Sequence, residues 1–138
     1  MKANELMIGD WIRIDEPDKY AGATGQIQSL MYHREGDAAY FHVFIQDRLG
    51  HVLRDVCSDD IRPIPLTPEI LEKNGFHEKW DRDIKLMACD TITIEIGDNY
   101  KFYKDGKMYL RRVLAPLYYV HQLQHAFRIC GIEKEIEL

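Results

Sequence analysis

Apolar and polar residues alternate with a period of two over most of this chain, and the alternation predicts short strands before it predicts anything else. Gly9-Asp10 leads into Trp11-Ile12-Arg13-Ile14, and a polar loop then runs to Gly22-Ala23-Thr24-Gly25 and a second strand from Gln26 to Tyr32. Between Ala39 and Gln46, Tyr40, His42, Phe44 and Gln46 alternate with Phe41, Val43 and Ile45, and His51 to Val56 supplies a fourth strand. Short strands with Gly-containing turns at this spacing predict a small β-barrel over residues 1–65.

The pattern changes at Ile61–Phe76, IRPIPLTPEILEKNGF. Thr67 is suited to cap a helix N-terminus, Pro68 to occupy its first position, and Leu66 with Leu71 to form a hydrophobic staple; Gly75 is placed to stop the helix. The predicted helix runs from Pro68 to Asn74. Beyond it, Ile84, Leu86 and Ala88 alternate with Lys85 and Met87, and Ile92, Ile94 and Ile96 with Thr91, Thr93 and Glu95. These are two half-buried strands. The segment from Tyr100 to Arg112 is a predicted hairpin with Asp105-Gly106 as a two-residue turn, pairing Lys104 with Lys107, Tyr103 with Met108 and Phe102 with Tyr109. Tyr119, Val120, Leu123, Ala126, Phe127 and Cys130 then recur at helical spacing, with His121, Gln124, His125 and Arg128 expected on the solvated side. The predicted fold is α+β. A small N-terminal β-barrel over 1–65 precedes a second lobe over 66–138, in which a short central helix leads to an antiparallel meander covered by a C-terminal helix.

The barrel expectation rests partly on a resemblance. GDWIRI followed by GATGQI resembles the opening of KOW-type SH3-like barrels, in which Gly-Asp starts one strand and a Gly-x-x-Gly turn leads to the next; such modules bind RNA or proteins. A second resemblance spans most of the chain. KANELMIGDWI, PIPLTPEILEKNGF and YYVHQLQHAFRICGIE, in that order, resemble a family of small uncharacterised proteins of Bacteroides-type gut bacteria, often encoded in prophage or mobile-element regions. The resemblance implies a context and no activity. The family's closing motif usually reads HQLQN, whereas His125 stands here in place of the asparagine.

Composition narrows the partners. The 138 residues are 46% hydrophobic and 30% charged, with a net charge of −5. An acidic chain is a poor general attractor of nucleic acid. Residues 1–65 carry 7 Lys and Arg against 11 Asp and Glu, while the only basic concentration lies at Tyr100–Arg112, where Lys101, Lys104, Lys107, Arg111 and Arg112 face Asp105 alone. No apolar run approaches the roughly 18 residues of a membrane span. The opening MKANELMIGD lacks a signal-peptide core, and Cys57, Cys89 and Cys130 are odd in number and far apart. The expected setting is cytoplasmic, with free thiols and no membrane.

Two sets of residues carry candidate chemistry. On the predicted hairpin, Tyr100, Phe102, Lys104, Lys107, Tyr109 and Arg111 share one face, and rings interleaved with cations form the platform on which single-stranded nucleic acid stacks. The opposite face, with Tyr103, Met108 and Leu110, is the expected core side. His121 and His125 are spaced i, i+4, as two ligands of a divalent metal would be, but the Glu of an HExxH motif and a third ligand are missing. No nucleophile elbow, Walker loop, CxxC or dinucleotide fingerprint occurs. No cofactor is expected. The reading is therefore a non-catalytic binding or adaptor protein with another protein as partner. Nucleic-acid binding through the hairpin is one alternative, and a small metal-dependent enzyme using His121 and His125 is another.

Overall fold

The structure is a computed structural model that describes residues 6–15, 22–35, 38–47, 49–97, 100–105, 107–108 and 117–138. The chain is α+β and separates into two units, Met1–Ile64 and Pro65–Leu138.

In the first unit, β1 (Trp11–Ile14), β2 (Thr24–Glu35), β3 (Ala38–Asp47), β4 (Val52–Cys57) and β5 (Ile61–Pro63) form one antiparallel sheet in the order β4-β3-β2-β1-β5. A 3-10 turn at Ser58–Asp60 swings the chain from β4 to β5, which returns to β1 with Ile14 opposite Ile61. The order is open: no ladder joins β4 to β5 among the described residues. Strand β2 is longer than its alternation implies, and its ladder with β3 shifts register between Ile27 and Ser29. Such a bulge bends and twists a long hairpin. Inward positions follow the period of two, so Ile12, Ile14, Ile27, Val43, Ile45, Val56 and Ile61 bury together with Leu6.

The Gly-Asp pair at the head of β1 has a definite structural task. Gly9 has a φ of 85°, and the buried Asp10 carboxylate accepts the Met7 N–H at 2.8 Å, closing the turn that precedes the strand. Gly9 N–H donates to Ile27 O at 2.7 Å, and Ile27 N–H donates to Asp10 O at 3.0 Å. Gly25 is needed for a different reason. A Cβ there would lie 2.3 Å from Ile45 Cγ2 and 2.8 Å from Gln46 O.

The second unit opens with α1 (Pro68–Lys73), whose Thr67 Oγ1 accepts the Ile70 N–H at 3.4 Å. A meander follows: β6 (His77–Asp81), β7 (Ile84–Cys89), β8 (Ile92–Ile96), β9 (Lys101–Lys104) and β10 (Lys107–Met108), in the order β10-β9-β8-β7-β6. Arg82, Asp90 and Asp105 take positive φ at the hairpin turns. The chain closes through α2 (Val120–Ile129). Gln122 Oε1 reaches back to accept the Tyr118 and Tyr119 N–H groups at 2.8 and 3.1 Å, satisfying donors ahead of the first turn. Both helices end alike. Gly75 and Gly131 have φ of 81° and 65°, and the next residues, Phe76 and Ile132, donate back to Leu71 O and Phe127 O.

One face of the meander packs on α2. Met87, Ile92, Ile94 and Phe102 bury there with Leu123, Ala126 and Phe127, and the Phe127 ring lies 6.1 Å from Phe102 and 6.5 Å from Phe76. The helix is enclosed over more of its circumference than its apolar stripe indicates. His121 and Gln124, expected on the solvated side, are 4% and 8% exposed. The Tyr119 ring stacks on His121 at 5.8 Å and covers it. Within α2 only Arg128 and Ile129 are exposed.

After α2 the chain runs without regular structure to Leu138, and Asn74 holds it. Its Nδ2 donates to Ile70 O and to Glu137 O, each at 2.7 Å, and its Oδ1 accepts the Glu137 N–H at 2.8 Å. Lys73 Nζ donates to Leu138 O, and Ile136 is buried beside this clamp. Replacing Asn74 with Ala removes three hydrogen bonds and strands two backbone groups. The expected cost is about 1–3 kcal/mol in urea unfolding, with faster amide exchange at Glu137. In the first unit, Gly25→Ala is expected to cost about 1–3 kcal/mol or more, because both atoms it meets are fixed in the sheet. Unchanged midpoints would show that these contacts do not form.

Candidate functional site

The hairpin register is as the turn chemistry dictates, with Lys107 opposite Lys104 and Met108 opposite Tyr103. On its described strand, β9, the faces are the reverse of those expected. Phe102 is 1% exposed beneath α2, so it cannot serve as a stacking surface for a base. The aromatic platform is corrected accordingly at this position. Lys104 points the same way, and its Nζ donates to Cys130 O at 2.8 Å, where a cation complements the carbonyl end of α2. Tyr100 is half-buried and bridged to Leu117, and burial pushes its phenol above the ordinary value. Tyr109 and Arg111 lie outside the described residues, and Lys107 is described only through its backbone in β10.

Tyr103, expected in the core, faces the other way. An aromatic hydroxyl requires a polar partner, and Tyr103 finds one there: it donates to Glu95 Oε2 at 2.8 Å. Lys101 Nζ donates to Glu95 Oε1 at 2.6 Å. The cross-strand registers explain this convergence, since Leu86 pairs with Glu95, Glu95 with Lys101 and Thr93 with Tyr103. All of these side chains share the outer face of the sheet. Asp81, Ile84, Leu86, Thr93, Glu95 and Tyr103 line an open cavity of about 350 Å³ there. Ile84 is 45% exposed, and Leu86 is half-buried. The alternation of Ile84, Leu86 and Ala88 therefore marks an outward face, whereas Met87, between them, is the buried residue.

The edge of this sheet is also accessible. All 5 residues of β6 are exposed, Trp80 among them, and among the described residues β6 pairs with β7 alone. Trp80 Nε1 donates to Glu78 Oε1 at 2.7 Å, while Glu78 Oε2 holds Lys85 Nζ at 2.7 Å.

The histidine pair has a different environment from the one its spacing implies. The rings of His121 and His125 are 5.6 Å apart and edge to face, with His121 buried. Among the described residues no group of three or more His, Cys, Asp or Glu side chains is placed to hold a metal ion. Cys57, Cys89 and Cys130 are free thiols, and burial raises Cys130 above the ordinary thiol value. No helix among the described residues is long and apolar enough to cross a membrane.

The fold thus defines an α+β chain whose second unit carries one helix-covered sheet face and one partly apolar face that no described element of the unit covers. Comparison of the chain with models of known protein families, with curated proteins and with solved structures finds no match.

Sequence reasoning missed Asp81, Ile84, Leu86, Thr93 and Glu95 as a site. The ladders from β6 to β9 bring these residues onto one face, but which face α2 covers is set by residues distant in sequence. Lys101 first and Tyr103 second hold the Glu95 carboxyl below the usual carboxylate range. Its folded value lies below its unfolded one, so the resulting stabilisation is complete above the unfolded value and is lost as pH falls through the folded value. The stability gap between wild type and Glu95→Gln is therefore expected to shrink as pH drops from neutral to below the ordinary glutamate value of about 4.3. Urea midpoints across that range measure it, and a constant gap would show that the network does not stabilise the charged form.

Proposed function

We propose that this chain is a non-catalytic, protein-binding adaptor and that the outer face of its β6–β10 sheet is the contact surface. The observation that carries the reading is that face itself: a sheet surface that no described element of the unit covers, with an apolar floor of Ile84 and Leu86, a cavity of about 350 Å³, and a carboxylate held in place by two donors. Apolar ground with a few oriented polar groups is the composition of recognition surfaces. Burial of Phe102 argues against the single-stranded nucleic-acid alternative.

For the first unit we propose an SH3-like module. Support comes from the fifth strand returning to pair with the first, the 3-10 turn between the fourth and fifth strands, and the bent β2–β3 hairpin. A cytoplasmic, mobile-element setting agrees with three free thiols and with the motif resemblance.

The test compares Leu86→Glu with Ile129→Glu, an exposed position on α2. Immobilised wild-type protein and both variants are exposed to a bacterial lysate, and retained proteins are quantified by mass spectrometry. Leu86→Glu is expected to lose at least tenfold of whatever the wild type retains specifically, while Ile129→Glu keeps it. Equal retention by all three would overturn the assignment of this face.

A further inference from the structure

We infer that the outer-face cavity receives an arginine side chain of a partner protein. The inference rests on the reading of that face as the contact surface and specifies its chemistry. Two carboxylates frame the cavity, Asp81 from β6 and Glu95 from β8, and none of its described lining residues is cationic, Lys101 meeting Glu95 without lining the cavity. The registers Asp81 to Ile84 and Leu86 to Glu95 put the two acids on strands separated by β7 and offset by two residues, so their backbones lie roughly 12 Å apart across the sheet. Between them lie Ile84 and Leu86, which offer an apolar bed for an aliphatic stem. Tyr103 and Thr93 close the far side.

The hydrogen-bond inventory selects the visitor. Lys101 and Tyr103 each use one Glu95 oxygen, which orients the carboxylate but leaves a lone pair on each oxygen for a further donor. The Asp81 carboxylate has no hydrogen-bond or ion-pair partner among the described residues, so a partner covering it must bring a donor or leave a charge desolvated. A guanidinium carries five donors in a plane and can address acids on two sides while resting against the Tyr103 ring. A lysine ammonium is a compact, strongly hydrated charge that serves one acid at a time. The volume, at the low end of the roughly 300–1,000 Å³ range of ligand pockets, suits one long side chain and not a large cofactor.

The experiment uses the full chain and methyl-resolved NMR, following the Ile84 and Leu86 methyl groups. Three blocked tripeptides are titrated: acetyl-Gly-Arg-Gly-amide, its lysine counterpart, and its citrulline counterpart, which keeps the shape of arginine without the charge. The arginine peptide is expected to shift both methyls saturably, with the lysine peptide weaker and the citrulline peptide at least tenfold weaker. Asp81→Asn, at an exposed strand end where folding is not at stake, is expected to weaken the arginine peptide at least fivefold; Glu95→Gln should do the same. Citrulline binding equal to arginine overturns the inference while leaving the face as a contact surface. Arginine binding unaffected by Asp81→Asn, or no shift with any peptide, overturns it outright. The reading of the face as a whole fails separately, if Leu86→Glu retains the partners that the wild type captures.

Discussion

The packing of Phe102 against Phe127, with Phe76 stacked on the same ring, decides how the second unit is arranged. Each ring is almost wholly buried, and burying such a side chain is worth about 1.5–3 kcal/mol, with further gain from tilted ring contacts. Once Phe102 lies beneath α2, the strict alternation of a strand leaves no freedom for its neighbours. Tyr103 must face outward and Lys104 must face the helix end. The same alternation, carried through the ladders to β8 and β7, turns Glu95, Thr93, Leu86 and Ile84 to the uncovered side. The candidate contact face is therefore the reverse side of the core, set by where a phenylalanine is buried.

The first unit depends on a comparable local constraint. Gly25 allows β2 to approach β3 closely at Ile45 and Gln46, and the register shift two residues later bends the pair. The chain can then come round through Ser58–Asp60 and set Ile61 against Ile14. Each inward isoleucine in this ladder is buried because the bend brings strands from opposite ends of the unit's sequence onto one core.

Much of this was legible in residue order, for physical reasons that are local. Thr67, Pro68 and Gly75 specify α1 because capping needs only the residues that make the cap. The hairpin register followed from Asp105-Gly106 because a two-residue turn fixes its flanking pairs. What stayed hidden depends on distant residues. Alternation says that Phe102 and Tyr103 point apart without saying which is covered, since the cover is supplied by Phe127, 25 positions on from Phe102. The burial of His121 and Gln124 was illegible for a related reason. A helical stripe records the hydrophobic side, and polar residues at its margin bury when a neighbour such as Tyr119 lies over them. The outer-face cavity belongs to the same class. None of its six residues is unusual singly, and only the ladder order makes them neighbours.

The Asn74 clamp has a consequence for how this chain can change over evolutionary time. Its amide engages both backbone groups of Glu137, as a strand would, and makes no use of the glutamate side chain. Recognition of that kind is blind to residue identity. Position 137 can then drift freely in charge and size, provided that it keeps an N–H and so never becomes proline, while position 136 must stay apolar to remain buried. The terminal segment is thus tethered by a grammar of backbone groups with one obligatory hydrophobic word, and related chains that share the fold are expected to differ most at the exposed residues on either side of Ile136.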